Sequence, residues 1–307
     1  MLIFHEIKTG LVDSSCLALG MFDGMHLGHQ KVIKNAVEKS KKLAIPSIIV
    51  TFSKHPQYIT TKAPVKLITS LESRLDLFEK AGIDIAVVLN FTEELSKMSA
   101  GDYLKTVLTE GLNAKSITIG YNHHFGSQKK GNSKFFEQYS SQYGYEINVI
   151  SPVTLNNQII SSSAIRNLIS TGDVSLCLNL LGRPFSIKGA VIIGKQRGAG
   201  LGFPTANLSM SDDLIIPGDG VYLGLANIGK NQYNAVINIG RRPTFNDLKT
   251  SLTEVHILDF NENIYNKEIE VSFLKKLRNE KKFSSENELK KQIKLDCQEA
   301  MTYTLSS

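Results

Sequence analysis

Between residues 16 and 153, apolar strand-like runs alternate with helix-like segments, and this alternation limits the fold more than any other feature of the chain. The run Cys16 to Phe22 (CLALGMF) ends in glycine-rich sequence. Gln30 to Leu43 carries Val32, Ile33, Ala36 and Val37 on one helical face. Ser47 to Phe52 (SIIVTF) reads as a buried strand, Leu71 to Ala81 as a helix, and Asp84 to Leu89 and Ser116 to Ile119 as strands; Ile147 to Val153 follows a polar helix. Strands separated by helices predict a parallel sheet covered on both faces. Ligands of such sheets sit at the carboxyl ends of the strands, where the strand order reverses.

Near Gly182 the pattern changes. Short strands follow at Phe185 to Ile193, Gly220 to Asn227, Tyr233 to Ile239, Leu252 to Phe260 and Glu268 to Lys276, separated by Gly, Pro, Asn and Asp. They predict an antiparallel barrel or sandwich. A closing helix is expected from Glu286 to Met301, with Ser285 and Glu288 as a capping box and Leu289, Ile293, Cys297 and Ala300 inward. The chain of 307 residues exceeds what one core usually holds, so two domains are expected, residues 1–181 and 182–307.

The net charge of +6 suits anionic ligands but is spread along the chain. No run of five or six basic residues and no nucleic-acid motif occurs, so no nucleic-acid partner is expected. The three cysteines, Cys16, Cys177 and Cys297, are far apart and form no C-x-x-C, which fits a reducing compartment. No 18-residue apolar stretch exists, so no membrane span is expected and the cytoplasm is the default location. The expected state is a monomer or weak homo-oligomer.

The first strand runs into Gly20-Met-Phe-Asp-Gly-Met-His-Leu-Gly-His29-Gln30. A strand, a glycine turn and a helix make a phosphate site, because free backbone N–H groups and the helix dipole point at the anion. His26 and His29 share a helical face there, and the small Gly28 lets a nucleotide approach. Thr51-Phe-Ser-Lys-His55-Pro56 puts a second histidine source at a strand end. Ile160-Ser-Ser-Ser-Ala-Ile-Arg166 adds hydroxyls and a cation. A zinc cluster of His26, His29, His55, His123 and His124 lacks the expected spacings.

H-x-G-H with a late Ser-Ser-x-x-x-Arg resembles the nucleotidyltransferase superfamily. The longer G-x-F-D-G-x-H-x-G-H-Q is similar to the FAD synthetase module of bacterial bifunctional riboflavin kinase/FAD synthetases. Lys54 stands where that family has Pro, and Asn122 and His123 stand where it has Asp and Phe. The resemblance implies transfer of AMP from ATP to FMN in a Rossmann-like domain. By the same resemblance His26 and His29 stabilise phosphates, and Phe22, Asp23, Gly24, Gly28, His55, Ser162, Ser163 and Arg166 hold the nucleotide. Asn122 and Phe125 then fall on the flavin side.

In the second half, Gly189-Ala-Val-Ile-Ile-Gly194-Lys195-Gln196 nearly spells a P-loop but lacks the metal-binding hydroxyl after Lys. The following Arg197-Gly-Ala-Gly-Leu-Gly-Phe-Pro204-Thr205-Ala206-Asn207 demands an unusual loop, and Thr205 and Asn207 offer oxygens suited to Mg²⁺. Glu254 alternates onto one strand face with His256 and could take a proton from an attacking hydroxyl. This stretch, with Gly220-Val-Tyr222, Asn238-Ile-Gly-Arg-Arg-Pro-Thr-Phe245 and Glu254-Val-His-Ile-Leu-Asp-Phe260, resembles the riboflavin kinase module of the same family, a six-stranded antiparallel barrel. Asn266 stands after Tyr265 where that family has Gly. The resemblance implies phosphorylation of riboflavin by ATP and Mg²⁺, with Thr205 and Asn207 on the metal, Asn207 and Glu254 catalytic, Gly194, Arg197, Gly198 and Gly202 on the nucleotide, and Arg278 on the flavin. The departures at Lys54, Asn122 and His123 leave a chain with only one of the two activities as the alternative.

Overall fold

The computed structural model describes residues 1–7, 10–60, 65–194, 197–241 and 251–303. By internal packing it forms two compact units, Met1–Ser162 and Ser163–Ser307. This division falls earlier than the boundary at residue 181 expected from the sequence.

The first unit is built on a six-stranded sheet in the order β1 (Leu2–Phe4), β4 (Ile85–Leu89), β3 (Ser47–Phe52), β2 (Ser15–Leu19), β5 (Ala114–Gly120), β6 (Glu146–Ile150), every pair parallel. All five residues of β2 are buried, as in a sheet covered on both faces. The helical segments of this unit are α1 (Leu27–Leu43), α2 (Gln57–Thr60), α3 (Leu71–Lys80), α4 (Glu93–Lys97), α5 (Ala100–Asp102), a π-helix at Tyr103–Gly111, a short 3-10 turn at Ser127–Lys129, and α6 (Ser133–Tyr143). A hairpin of β7 (Thr154–Leu155) and β8 (Gln158–Ile159) follows. The face of α1 buries Val32, Ile33, Ala36 and Val37 as its periodicity requires. From β2 the chain steps outward to β3 and β4, then returns to the other side of β2 with β5. The order therefore reverses at β2, and its carboxyl end opens on the crevice.

The second unit begins within α7 (Ser162–Thr171), one residue after its start, and continues with α8 (Val174–Leu181). The Gly218 N–H donates to the Ile169 carbonyl at 3.1 Å, and α8 packs on the barrel strands described next. These are β9 (Phe185–Ile192), β10 (Ala206–Ser209), β11 (Gly220–Ile228), β12 (Asn231–Arg241), β13 (Ser251–Ile257) and β14 (Glu268–Arg278), with the short α9 (Arg197–Leu201) before β10. They close in the order β10-β13-β12-β11-β14-β9, antiparallel throughout. The inside is filled by Phe185, Ile187, Tyr222, Ile237, Val255 and Phe273, all buried. β10 completes the six strands. It is only four residues long and follows the glycine-rich loop, so the sequence pattern read it as loop.

The closing helix α10 (Glu286–Thr302) lies on the outer faces of β11 and β12. Cys297 and Ala300 pack there against Val221, Leu223 and Val236. Its N-cap works as expected, with the Glu288 N–H donating to Ser285 Oγ at 3.3 Å. The reciprocal bond comes from the Ser284 N–H, which donates to the Glu288 carboxylate at 3.1 Å. Among the described residues, no helix is long and apolar enough to cross a membrane.

Candidate active sites

The turn after β2 is held by a buried carboxylate. Asp23 accepts from the Ile68 N–H at 2.9 and 3.1 Å and from the Thr69 N–H at 3.1 Å. It therefore ties the turn to the segment entering α3, a role the sequence did not show. Gly24 has φ +82°, and a Cβ there would meet Ile68 at 2.9 Å, so only glycine fits without strain. The Ser162 hydroxyl donates to the Asp23 carbonyl at 2.9 Å, which draws Ser162 to the same turn.

His26 is the N-cap of α1. Its Nδ1 accepts the His29 N–H at 3.3 Å. A backbone N–H only donates, so Nδ1 is unprotonated and the ring proton of neutral His26 sits on Nε2. The His26 and His29 rings stack at 3.6 Å, and Phe22 meets His29 edge-on at 5.4 Å. The first turn of α1 contains no acid, so its positive dipole end stays available to an anion. A Cβ on Gly28 would lie 3.1 Å from the His26 ring. The arrangement can donate hydrogen bonds to phosphate oxygens in a largely dehydrated setting.

The neighbouring strand ends contribute less directly. His55 Nδ1 accepts from the Gln57 N–H at 3.2 Å at the start of α2. After β5, Asn122 is exposed, whereas Phe125 is buried and stacks on Phe136 with ring centroids 4.4 Å apart. His123 stacks on Phe125 and Phe136 at 6.0 and 6.5 Å. Ser163 and Arg166 stand in the first turns of α7, at the start of the second unit. Lys54 is exposed.

Burial pushes His26 and His123 down from 6.5 to about 4, aided at His123 by His124 and opposed at His26 by Asp23. Between these values the unfolded chain binds more protons than the folded one. Their contribution is complete above about pH 6.5 and is lost as the pH falls toward 4. The sheet unit is expected to melt more easily at pH 5 than at pH 7, by on the order of 1–2 kcal/mol per histidine. Thermal unfolding of the parent and His123→Phe at both pH values checks this; the substitution should remove part of the acid sensitivity.

The second site lies on the barrel's outer wall. Asn207 of β10 is directly opposite Glu254 of β13, which is opposite Asn238 of β12. Directly paired residues project to the same side. Their neighbours Leu208, Thr253 and Val255 are buried inside, so Asn207, Glu254 and Asn238 form a row facing outward. Asn238 was quoted in the sequence only as part of a longer string; the register reveals its place beside Glu254. Asn207 is buried, and its Oδ1 accepts no hydrogen bond. A buried oxygen left without a donor is suited to a cation, which needs only the lone pair.

Around this row the chain is tightly fitted. A Cβ on Gly194 would collide with the Asn207 amide. A Cβ on Gly198 would collide with the Phe203 carbonyl and lie 3.2 Å from Thr205 Oγ1. His256 Nδ1 is 2.8 Å from the Pro204 carbonyl, which fixes the chain just before Thr205. Gly202 is exposed with φ +87°. Arg197 begins α9, and its side chain lies outside the described residues, as do Lys195-Gln196 of the near P-loop and residues 242–245. Arg278 donates from Nε and Nη2 to Asp296 at 3.1 and 2.9 Å, so its guanidinium is fixed by α10. Among the described residues, no three of His, Cys, Asp and Glu gather as metal ligands do. Where the resemblance puts phosphoryl transfer at this row, Gly194→Ala is expected to lower that transfer by about 10–100-fold through displacement of Asn207. Steady-state rates measured alongside adenylyl transfer check this, and only the former should fall.

One unit caps the helix after β2 with a histidine, and the other sets an amide against a carboxylate on a closed barrel. Together they define a two-module nucleotide-using transferase. Residues 11–164 match the FAD synthetase family and residues 181–304 the riboflavin kinase family. The chain belongs to the bifunctional riboflavin kinase/FMN adenylyltransferase family. The member so described from Buchnera aphidicola subsp. Schizaphis graminum is 36% identical over 303 residues, covering 97% of this chain and 96% of that protein. That of Bacillus subtilis is 36% identical over 304 residues, covering 97% and 95%. A crystal structure described as a macrolide-efflux protein from Streptococcus pneumoniae has a TM-score of 0.90 at 29% identity, covering 99% of this chain and 100% of that one.

Proposed function

We propose that the chain makes FAD from riboflavin in two ATP-dependent steps. In the barrel, the 5′-hydroxyl oxygen of riboflavin attacks the γ-phosphorus of ATP, the bond to ADP breaks, and the proton passes to the Glu254 carboxylate. In the sheet unit, a phosphate oxygen of FMN attacks the α-phosphorus of a second ATP, and pyrophosphate leaves. The observation that carries this reading is the outward Asn207–Glu254 pair, in a chain whose other unit follows its central strand β2 with a histidine-capped helix.

Phosphoryl transfer rests on positioning and charge neutralisation. Thr205 and Asn207 are the residues that would hold Mg²⁺, and the buried, hydrogen-bond-free Oδ1 of Asn207 fits that use. When bound, the ion neutralises phosphate charge. Gly194, Gly198 and Gly202 keep the nucleotide loop close to the barrel, with Arg197 at its start. Arg278, which Asp296 holds, is the residue assigned to the flavin side of this site. Glu254 receives the proton of the attacking hydroxyl.

In the adenylylating module His26 donates from Nε2 to phosphate oxygens, and His29 stabilises the leaving pyrophosphate. Phe22, Asp23, Gly24 and Gly28 shape the turn around the nucleotide. His55, Ser162, Ser163 and Arg166 complete the cradle, and Asn122 with Phe125 forms the flavin side. This assignment takes residues 1–181 and 182–307 as the functional modules, so Ser163 and Arg166 are counted with the adenylylating module. The chain works in the cytoplasm as a monomer or weak homo-oligomer on small-molecule substrates, and its three buried free cysteines suit a reducing compartment.

Incubation of the purified chain with riboflavin, ATP and Mg²⁺, followed by chromatography of the flavins, tests the reading. FMN should appear first and FAD second. FMN alone would restrict the chain to phosphorylation and direct attention to Lys54, Asn122 and His123. No conversion of riboflavin or of added FMN would overturn the reading.

A further inference from the structure

Arg74 heads the largest fully buried side chains among the described residues. It lies on α3 and turns toward the sheet together with Phe78. Its Nη1 donates to the Met21 carbonyl at 2.9 Å and to Thr51 Oγ1 at 3.2 Å, and its Nη2 donates to the Phe52 carbonyl at 3.0 Å. One guanidinium thus joins the peptide just beyond β2 to the end of β3. The Thr51 hydroxyl donates to the same Met21 carbonyl at 3.1 Å.

This cation has an unusual environment. Buried charges normally meet an opposite charge. Among the described residues no carboxylate is in ion-pair contact with Arg74, and its bonds run to carbonyls and a hydroxyl. Asp23 acts on it only through space, and both Asp23 oxygens accept from the Ile68 N–H. Burial lowers the guanidinium to about 10, opposed by Asp23, so it remains charged at neutral pH. The positive charge lies behind the turn that faces the phosphates.

The clamp also reaches the histidines. Met21 precedes Phe22, whose φ of +52° is in the left-handed region. A bulky residue stays there only when its surroundings hold it. The Phe22 ring is seated between Phe78 of α3 and His29, with centroids 5.9 and 5.4 Å away. Loosening the Met21 peptide would release Phe22 and, with it, the edge against which His29 rests.

We infer that Arg74 is a positioning residue for adenylyl transfer, which fixes the Met21–Phe22 peptide beneath His29 and supplies a buried positive charge that favours the ATP phosphates. The inference rests on the adenylylation reading of the sheet site. Nothing in that reading requires a residue of α3.

The test uses the full chain with Arg74→Met and Arg74→Lys. FAD formation from FMN is followed against ATP concentration, and riboflavin phosphorylation and melting temperature are followed in the same preparations. For Arg74→Met, kcat/KM for ATP in FAD formation should fall about 100-fold, as for loss of two charge-assisted contacts, with phosphorylation unchanged. Arg74→Lys retains the charge but not the fork. Its KM for ATP should stay within about threefold of the parent while kcat falls about tenfold. A folded Arg74→Met chain that still makes FAD within about threefold of the parent rate would overturn the inference. If that variant does not fold, the lysine variant decides alone: a KM for ATP that rises as steeply as kcat falls removes the charge role. A parent that forms no FAD from FMN defeats the site reading itself, and this inference with it; a productive parent matched by both variants defeats the inference alone.

Discussion

Glu254→Gln is expected to reduce riboflavin phosphorylation by about 10²–10⁴-fold, the range for loss of a general base. FAD formation from supplied FMN should continue at the parent rate. The substitution keeps the size and most contacts of the side chain and removes only its ability to take a proton. It also leaves the barrel core untouched, because the buried neighbours are Thr253 and Val255. The melting temperature should therefore stay within a few degrees of the parent. A variant that phosphorylates riboflavin within about threefold of the parent would show that the hydroxyl proton leaves by another route. Asn207→Ala makes a useful companion: if that residue holds the cation, its loss should depend on Mg²⁺ concentration, whereas the loss in Glu254→Gln should not.

His29→Ala is expected to reduce FAD formation from FMN by about 10²–10³-fold, as removal of one preorganised donor to a developing charge does. Riboflavin phosphorylation should be unaffected. This variant separates chemistry from helix capping, because the cap bond is made by the His29 backbone N–H, which alanine retains. His26→Ala would instead remove the cap acceptor and cost about 1 kcal/mol of stability besides its effect on rate. FAD synthesis surviving in a folded His29→Ala chain would remove that residue from the reaction. Chromatography of the products from supplied FMN reads both cases.

The sheet strands were legible because a parallel sheet covered on both faces needs unbroken apolar runs, as in SIIVTF of β3. β1 was not, since three edge residues, two of them exposed, carry no pattern. The π-helix at Tyr103–Gly111 left no recognised period, because its side chains advance differently from those of an α-helix. The barrel face of Glu254 followed from simple alternation. Its partners did not, because register across strands depends on turns that sequence alone leaves open. Asp23 looked like part of a nucleotide turn, yet its oxygens bind the Ile68 and Thr69 backbone, a contact with a distant segment. Arg74 did leave a trace, as a charged residue on the apolar stripe with Leu75 and Phe78. Such a charge reads as an interruption until its acceptors are known. The histidines after β2 and the late serines were visible because a glycine turn between strand and helix marks an anion site, and the resemblance then gave them roles.

β13 alternates strictly between inward Thr253 and Val255 and outward Glu254 and His256. Two demands are thus threaded through one strand, and point changes can address them separately. A change in length cannot. Deleting or inserting a single residue here would send the carboxylate into the hydrocarbon interior and a valine to the solvent side. Substitutions in this strand can therefore tune the outward row and the core separately, whereas an unabsorbed change in its length would disturb both at once.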